Sequence, residues 1–335
     1  MGDPDIRTHR GRLRSVDGLR ALAALAVVAY HYWDPWTYYG MMGVELFFVI
    51  SGFVILMTVE RGRSLPAFAF ARIARLYPAY WLSVAIVGLF LLATDQAGLR
   101  SVIWNATMIQ RFLQRPDLID PYWTLAYELW FYAAVALIVA AGQLHNVDRI
   151  ALAWLILMSV WRGAVLFLDQ GGRLYGDPTL QLLLMPQFGH LFIAGMMLYR
   201  LDTGRRGWAT RAALMLAIAY SLFGRPDWAQ IPPAIYFFAN AAFIAAVWAA
   251  ATDRLPLLAG GPIVALGACS YSLYLLHVPI DLILSHAFGT LREAPWFHAV
   301  IVLPIAIAAA LLSRAWIEAP SQAWARRKLR SRADG

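Results

Sequence analysis

The sequence is poor in cysteine and in charged side chains. Its 335 residues include one cysteine, Cys269, which excludes an internal disulfide and any metal cluster built on several thiolates. Charged residues make up 14% of the chain, against about 25% in soluble globular proteins. The chain also has no P-loop, Rossmann glycine pattern, HExxH or GxSxG. Nucleotide-driven work and serine-hydrolase chemistry therefore lack support.

Hydrophobic residues are abundant instead, at 61% of the chain. They form runs of about 20 residues, the length that crosses ~30 Å of hydrocarbon. We therefore predict an all-α integral membrane protein of about ten transmembrane helices with a polar intramembrane cavity. The predicted spans are 17–34, 40–59, 76–94, 123–142, 149–168, 179–200, 208–224, 232–252, 262–288 and 295–317. We expect a membrane domain over 17–320 between cytoplasmic tails at 1–16 and 321–335, with a short interfacial helix at 66–75.

The basic residues are unevenly distributed between the two predicted sides of the membrane. Most of the 28 Lys and Arg residues lie on the inner side if the N-terminus is cytoplasmic, as the positive-inside rule requires. The pattern predicts a multi-pass protein of a bacterial-type plasma membrane with both termini inside. The net charge of +8 does not indicate nucleic acid, because the basic residues lie at helix ends and in the tails.

Three ionisable residues, Asp17, Arg20 and His31, lie in the first predicted span. Arg20 and His31 are separated by about 20° around a helix and by ~16 Å along it, and Asp17 falls on the same side. Such groups are costly at membrane depth and usually face a cavity or a partner. A packing stripe with a salt bridge and a satisfied histidine is the structural alternative.

Two acidic residues lie at a similar predicted depth to His31. Glu45 is in the second span and Glu128 in the fourth, and the predicted orientation places both in the outer half of the membrane. Two carboxylates and an imidazole at one level suit proton transfer from a hydroxyl. They equally suit a proton or cation pathway in a transporter.

Further polar residues allow both a functional and a structural interpretation. Arg72 and Arg75 lie at the cytoplasmic mouth of the third span, where guanidinium groups suit either a phosphate ligand or lipid phosphates. His190 and Arg162 are lone intramembrane groups, for which we expect structural partners.

The ninth span carries Ser270, Tyr271, Tyr274 and His277. Ser270, Tyr274 and His277 share one helix face at spacings of four and three. Hydrogen bonds between helices explain this face about as well as a binding site does.

Five motifs in order resemble the membrane-bound acyltransferase family 3, which includes glycan O-acetyltransferases and macrolide acyltransferases. They are SVDGLRALAALAVVAYHYW, GVELFFVISGFVI, ARIARLYPAYW, YWTLAYELWFY and SYSLYLLHVP. The resemblance covers nearly the whole chain, from Arg14 to the IEAP segment at 317–320. Relatives often carry a second, esterase-like domain. We see none in this sequence, so we expect the membrane domain to complete the transfer.

The resemblance implies roles for individual residues. The family's Arg-then-ten-residues-then-His pattern falls on Arg20 and His31, which implies that His31 is catalytic. Its paired arginines fall on Arg72 and Arg75, which implies contact with acyl-CoA on the cytoplasmic side. Its Trp-Ser/Thr-Leu…Glu element falls on residues 123–128 and ends at Glu128. The family often has Asp where this chain has Glu45.

These observations lead to a hypothesis of O-acyl transfer without a metal. The donor is acetyl-CoA or another acyl-CoA, and the acceptor is a hydroxyl of a sugar, glycan or glycosylated small molecule. The alternatives are a proton-coupled secondary transporter or flippase and a sensor or scaffold without chemistry. The predicted catalytic residues are His31, Glu128, Glu45 and Asp17, and the predicted donor-binding residues are Arg20, Arg72, Arg75, Ser270 and Tyr271.

Overall fold

The structure is a computed structural model that describes residues 4–62, 64–168, 178–226 and 228–331, with side chains from residue 14 onward except at 178 and 179. Within these ranges the regular elements are helices, and no strand occurs. The helices are α1 (Pro4–Trp33), α2 (Gly43–Glu60), α3 (Leu65–Ala93), α4 (Leu99–Ala106), α5 (Trp123–Ala140), α6 (Val147–Leu168), α7 (Pro178–Leu184), α8 (Gly189–Asp202), α9 (Trp208–Tyr220), α10 (Pro233–Ala251), α11 (Gly261–Ala268), α12 (Ser270–Phe288), α13 (Leu303–Ser313) and α14 (Ala319–Ser331). Short 3-10 or π-helical turns join several of them.

Eight helical segments in the described part of the chain are long and apolar enough to cross a membrane. They are Tyr38–Glu60, Leu65–Ala93, Asp120–Ala140, Leu144–Leu168, Leu180–Asp202, Pro233–Ala251, Ser270–Glu293 and His298–Ser331. The prediction of an all-α membrane protein is confirmed, but the predicted count of about ten spans is not. The predicted first span lies in α1 and does not meet the criterion. The predicted seventh span corresponds to α9, which has only 13 residues.

Several predicted boundaries are wrong. The segment 66–75 is not a separate interfacial helix, because α3 runs without interruption from Leu65. The predicted ninth span is divided at Cys269 into α11 and α12. The cytoplasmic tails at 1–16 and 321–335 stay predictions, and both include helix, since α1 begins at Pro4 and α14 continues to Ser331.

The chain divides into two compact units. Unit 1 comprises Met1–Ala23, Met42–Arg63 and Tyr127–Val264, and unit 2 comprises Ala24–Met41, Ser64–Ala126 and Ala265–Gly335. Helices α2, α6, α8, α9 and α10 form most of unit 1, whereas α3, α4, α12, α13 and α14 form most of unit 2.

Two glycines allow α2 and α8 to approach closely in unit 1. A methyl group on Gly52 would collide with the carbonyl oxygen of Phe192, and one on Gly195 would collide with the carbonyl oxygen of Val49. Small residues of this kind allow close packing between membrane helices, where the hydrophobic effect gives little help. The reciprocal contact makes α2 and α8 the tightly packed pair at the centre of unit 1.

A buried ion-pair network joins four helices of unit 1. The Arg200 side chain on α8 is 1% exposed, and its guanidinium contacts Glu60 at 2.5 Å and Asp148 at 2.7 Å. Thr210 on α9 donates to the same Asp148 carboxylate at 3.1 Å. A buried charge is strongly destabilising if its partner is removed, so the network fixes the adjoining ends of α2, α6, α8 and α9.

Two prolines interrupt the backbone hydrogen bonding of helices in unit 2. Pro78 in α3 and Pro279 in α12 lack an amide hydrogen, which leaves the carbonyl four residues earlier without its helical donor. Serine hydroxyls from other helices replace those donors. Ser321 bonds the Ala74 carbonyl at 3.0 Å, and Ser83 bonds the Leu275 carbonyl at 2.7 Å. Each proline is therefore also a point where two helices are joined.

The glycine contact can be tested by alanine substitution. Gly52→Ala and Gly195→Ala place a methyl group against backbone atoms, and we expect each to lower the stability of the protein by about 1–3 kcal/mol. Thermal unfolding of the detergent-purified protein measures the change. Gly163→Ala on α6 is the matched control, because nothing lies within 4 Å of its Cβ position and alanine favours helix. Equal melting temperatures for the three variants would contradict the proposed packing.

Candidate active site

His31 lies near the end of α1, in the part of that helix that belongs to unit 2. Its side chain is 18% exposed. The Nδ1 atom is 2.9 Å from the Val27 carbonyl oxygen and 3.3 Å from Nε2 of His277 on α12. The two imidazole rings meet edge to face with their centroids 4.8 Å apart. The structure therefore pairs the predicted catalytic histidine with a second histidine.

Neighbouring carbonyl groups determine where the ring protons lie. A carbonyl oxygen can only accept, so Nδ1 of His31 carries the proton that points to Val27. By the same argument Nδ1 of His277 donates to the Leu273 carbonyl at 3.1 Å, so its Nε2 is an acceptor that shares the single His31 Nδ1 proton with the Val27 carbonyl. In its neutral form His31 consequently has a lone pair on Nε2. That nitrogen makes no hydrogen bond within the described structure.

A carboxylate lies beside this free nitrogen. Asp120 Oδ2 is 3.6 Å from His31 Nε2, and the Asp120 side chain is 70% exposed. The distance is too long for a good hydrogen bond to a neutral ring. A proton that arrives at Nε2 would nevertheless lie within 4 Å of an opposite charge. Asp120 was not singled out in the sequence, because it lies in a short 3-10 turn without periodic patterning.

Hydroxyl groups hold the histidine pair in place within unit 2. The Tyr32 hydroxyl donates to the His277 carbonyl at 2.9 Å. The Tyr274 hydroxyl is 2.9 Å from the Thr124 hydroxyl and donates to the Pro121 carbonyl at 3.1 Å. These bonds tie α12 to α1 and to the turn that carries Asp120. Thr124 belongs to the fourth motif of the resemblance, so that motif has a clear positional role.

A second histidine–carboxylate pair lies beside Tyr32. His298 Nε2 is 3.2 Å from Asp281 Oδ1, and Ser285 donates to the same oxygen at 2.9 Å. The rings of Tyr32 and His298 have centroids 5.3 Å apart. The sequence supported no role for His298, because only the fold brings it close to Tyr32.

The predicted donor-binding arginines lie on α3 of the same unit. Arg72 and Arg75 are half-buried, and the Arg72 guanidinium is 5.6 Å from the Phe68 ring centroid. Ser83, which bonds to α12 two residues before His277, lies on the same helix, about 12 Å from Arg75 along the axis at 1.5 Å per residue. One continuous helix thus connects the arginine pair with the segment that holds the histidine pair.

Two other predicted donor-binding residues lie on α12. The Tyr271 hydroxyl donates to the Leu76 carbonyl at 3.0 Å, and Ser270 is fully buried. The bond from Tyr271 to Leu76 is a helix–helix contact, which matches the structural alternative for this face. Their role in donor binding stays a prediction.

The other predicted catalytic residues belong to unit 1, in contrast to His31. Glu128 accepts hydrogen bonds from the Ser51 hydroxyl at 3.2 Å and from the Tyr132 hydroxyl. Glu45 is 4% exposed. Asp17 and Arg20 lie on the unit 1 part of α1 and are partly buried. The catalytic and donor-binding roles of these residues, and their common depth with His31, stay predictions.

Two expectations concern groups outside this site. Arg162 does have a structural partner, since its Nε donates to the Phe223 carbonyl at 3.0 Å. His190 does not follow that expectation, because neither ring nitrogen has a hydrogen-bond partner. Among the described residues, no group of three or more His, Cys, Asp or Glu side chains is arranged to hold a metal ion.

Known proteins resemble this chain over most of its length. Residues 13–315 match the profile of a family described as an acyltransferase domain. The putative peptidoglycan O-acetyltransferase YrhL of Bacillus subtilis is 26% identical over 93% of this chain and 55% of its own length. The O-acetyltransferase OatA of Staphylococcus aureus is 25% identical over 92% of this chain and 57% of its own length.

A shorter match has higher identity. The peptidoglycan O-acetyltransferase OatA of Listeria monocytogenes is 40% identical over 25% of this chain and 14% of its own length. The chain thus spans little more than half the length of the two relatives that it matches almost throughout. No solved structure matches it. Because the family profile covers most of the chain, this multi-pass membrane protein belongs to acyltransferase family 3, the family that its motifs resemble.

Proposed function

We propose that the protein is an O-acetyltransferase that moves an acetyl or other short acyl group from cytoplasmic acyl-CoA to a carbohydrate hydroxyl. The observation that carries the proposal is the position of His31 Nε2, which makes no hydrogen bond and lies 3.6 Å from Asp120, while Nδ1 contacts the Val27 carbonyl and His277. The names of the relatives make peptidoglycan the first acceptor to test.

The proposed reaction uses His31 as general base and then as general acid. Nε2 accepts the proton of the acceptor hydroxyl as the hydroxyl oxygen forms a bond to the thioester carbonyl carbon. The carbon–sulfur bond then breaks, and the CoA sulfur takes the proton from His31. The products are an ester and free CoA thiol, and His31 returns to its neutral form. A positioned base of this kind contributes about 10²–10⁴ to the rate.

The surrounding residues have distinct parts in this reaction. Asp120 stabilises the imidazolium that forms on His31, because its carboxylate is 3.6 Å from the nitrogen that becomes protonated. His277 is a positioning residue that, together with the Val27 carbonyl, keeps the proton of neutral His31 on Nδ1. Arg72 and Arg75 suit the phosphates of CoA, since guanidinium groups match phosphate oxygens in charge and geometry.

Replacing His31 tests the general base. We expect His31→Gln and His31→Ala each to lower the rate of acetyl transfer by about 10²–10⁴, because neither side chain can accept the hydroxyl proton. Ester formation from labelled acetyl-CoA and a soluble peptidoglycan fragment gives the rate. His286→Ala on the exposed end of α12 is the control and keeps normal activity. Normal turnover in both His31 variants would remove this residue from the mechanism.

Replacing His277 tests the positioning role. Gln can present an oxygen where His277 presents Nε2, whereas Phe cannot accept a hydrogen bond. We expect His277→Phe to lower kcat about tenfold to a hundredfold, which corresponds to ~1.5–3 kcal/mol for a hydrogen bond to a charged group. His277→Gln should recover part of that loss, with KM for the acceptor unchanged in both. Melting temperatures report folding, and a well-folded Phe variant with full kcat would refute the role.

Replacing the arginines tests the donor site. We expect Arg72→Ala and Arg75→Ala each to raise the Kd for CoA about tenfold to a hundredfold, because each removes a charge-assisted contact to phosphate. Calorimetric titration of the purified protein with CoA measures Kd. Arg254→Ala, an exposed arginine in unit 1, is the matched control. Unchanged Kd in the first two variants would leave lipid phosphate as their ligand.

A further inference from the structure

A second cluster of polar side chains lies in the core of unit 1. Glu45 comes from α2, His190 from α8, and Tyr236 and Asn240 from α10. Glu45 is 4% exposed, and the other three side chains are fully buried. These helices pack directly on one another. The proposed acyl transfer assigns no step to any of these four residues.

Most of the polar atoms in this cluster have no hydrogen-bond partner. They are both ring nitrogens of His190, the amide nitrogen and oxygen of Asn240 and the hydroxyl of Tyr236. The Tyr236 hydroxyl interacts with the Glu45 carboxyl and the Asn240 amide, although neither contact has the distance and angle of a hydrogen bond, so the side chains face a common region. His190 borders that region, because its ring centroid is 6.5 Å from that of Tyr236.

A neighbouring tyrosine provides a comparison. The Tyr220 ring packs 5.0 Å from His190, yet its hydroxyl donates to the Pro186 carbonyl at 2.7 Å. Tyr220 thus has the backbone acceptor that Tyr236 lacks. Buried polar atoms are nearly always paired, and a concentration of unpaired ones requires an explanation such as a bound molecule.

The chemistry of the cluster defines the molecule that it binds. The phenol and the amide each contain a donor and an acceptor, a neutral imidazole has one of each, and the Glu45 carboxyl adds acceptor oxygens. A ligand must therefore both donate and accept hydrogen bonds within a short distance. It must also be small, since the glycine contacts hold α2 and α8 close together. Water meets both conditions, and buried water commonly makes about three such bonds.

We propose that Glu45, His190, Tyr236 and Asn240 form an internal water site in unit 1. The bound water bridges the imidazole, the phenol, the amide and the carboxyl group. It supplies the partners that the protein itself does not provide at this depth in the membrane. A carboxyl group and an imidazole joined by water can exchange a proton, so the bound water couples Glu45 to His190.

Radiolytic footprinting of the full chain in lipid nanodiscs, carried out in ¹⁸O-labelled water, tests the site. Short X-ray pulses produce hydroxyl radicals from bound water, and these oxidise adjacent side chains. We expect ¹⁸O incorporation at Tyr236 and His190 to exceed that at Tyr80 at least fivefold. Tyr80 is the matched control, since it is also fully buried but its hydroxyl donates to the Asn105 carbonyl at 2.6 Å. Equal incorporation at the three residues would overturn the proposal.

A substitution gives an independent readout. Asn240→Leu keeps the approximate shape of the side chain but removes one donor and one acceptor. If water is bound, the variant loses part of its labelling at Tyr236, and its melting temperature falls or stays the same. If the cluster is dry, removal of two unpaired groups raises the melting temperature and leaves the labelling at background. The second result would refute the water site without bearing on acyl transfer by His31.

Discussion

A polar group inside the hydrocarbon of a bilayer has to find its partner within the protein, because no bulk water is available there. The structure meets this requirement with specific pairs. Ser83 and Ser321 supply donors to the carbonyls that Pro279 and Pro78 leave free. Arg200 is surrounded by carboxylates and a carbonyl. Packing between the helices is therefore determined by hydrogen-bonding needs as well as by apolar shape.

The same requirement shapes the proposed chemistry of His31. Its Nδ1 is occupied by the Val27 carbonyl and by His277, so only Nε2 is left to take part in proton transfer. Asp120 adds a negative charge near that nitrogen but is largely exposed, which keeps the carboxylate hydrated when His31 is neutral. Two different residues thus act on His31: the buried His277 orients its ring, and the exposed Asp120 balances its charge. A triad of histidine with a buried carboxylate divides it differently, since there one carboxylate performs both tasks.

The sequence predicted the features that local patterns encode. Apolar runs identified most of the membrane helices, and the cost of ionisable residues at membrane depth singled out His31, Glu45 and Glu128. The pairing of His31 with His277 was not predictable, because the residues are 246 positions apart and only the packing of α1 and α12 brings them together. Carbonyl acceptors such as those of Val27 and Leu275 have no signature in a sequence. The break at Cys269 was also missed, since the residues on both sides of it are apolar.

The complete burial of the part of α8 between Gly189 and Arg200 has a consequence for biosynthesis. This segment has no lipid-facing side, yet it leaves the translocon before α10 has been synthesised. His190 and Arg200 therefore enter the membrane before all of their neighbours are present. By then α2 is already present, and α8 can pack on it through Gly52 and Gly195. Tyr236 and Asn240 of α10 are synthesised roughly 40 residues later. Assembly of this core is thus an ordered process, in which α2 and α8 pack together before α10 has been synthesised.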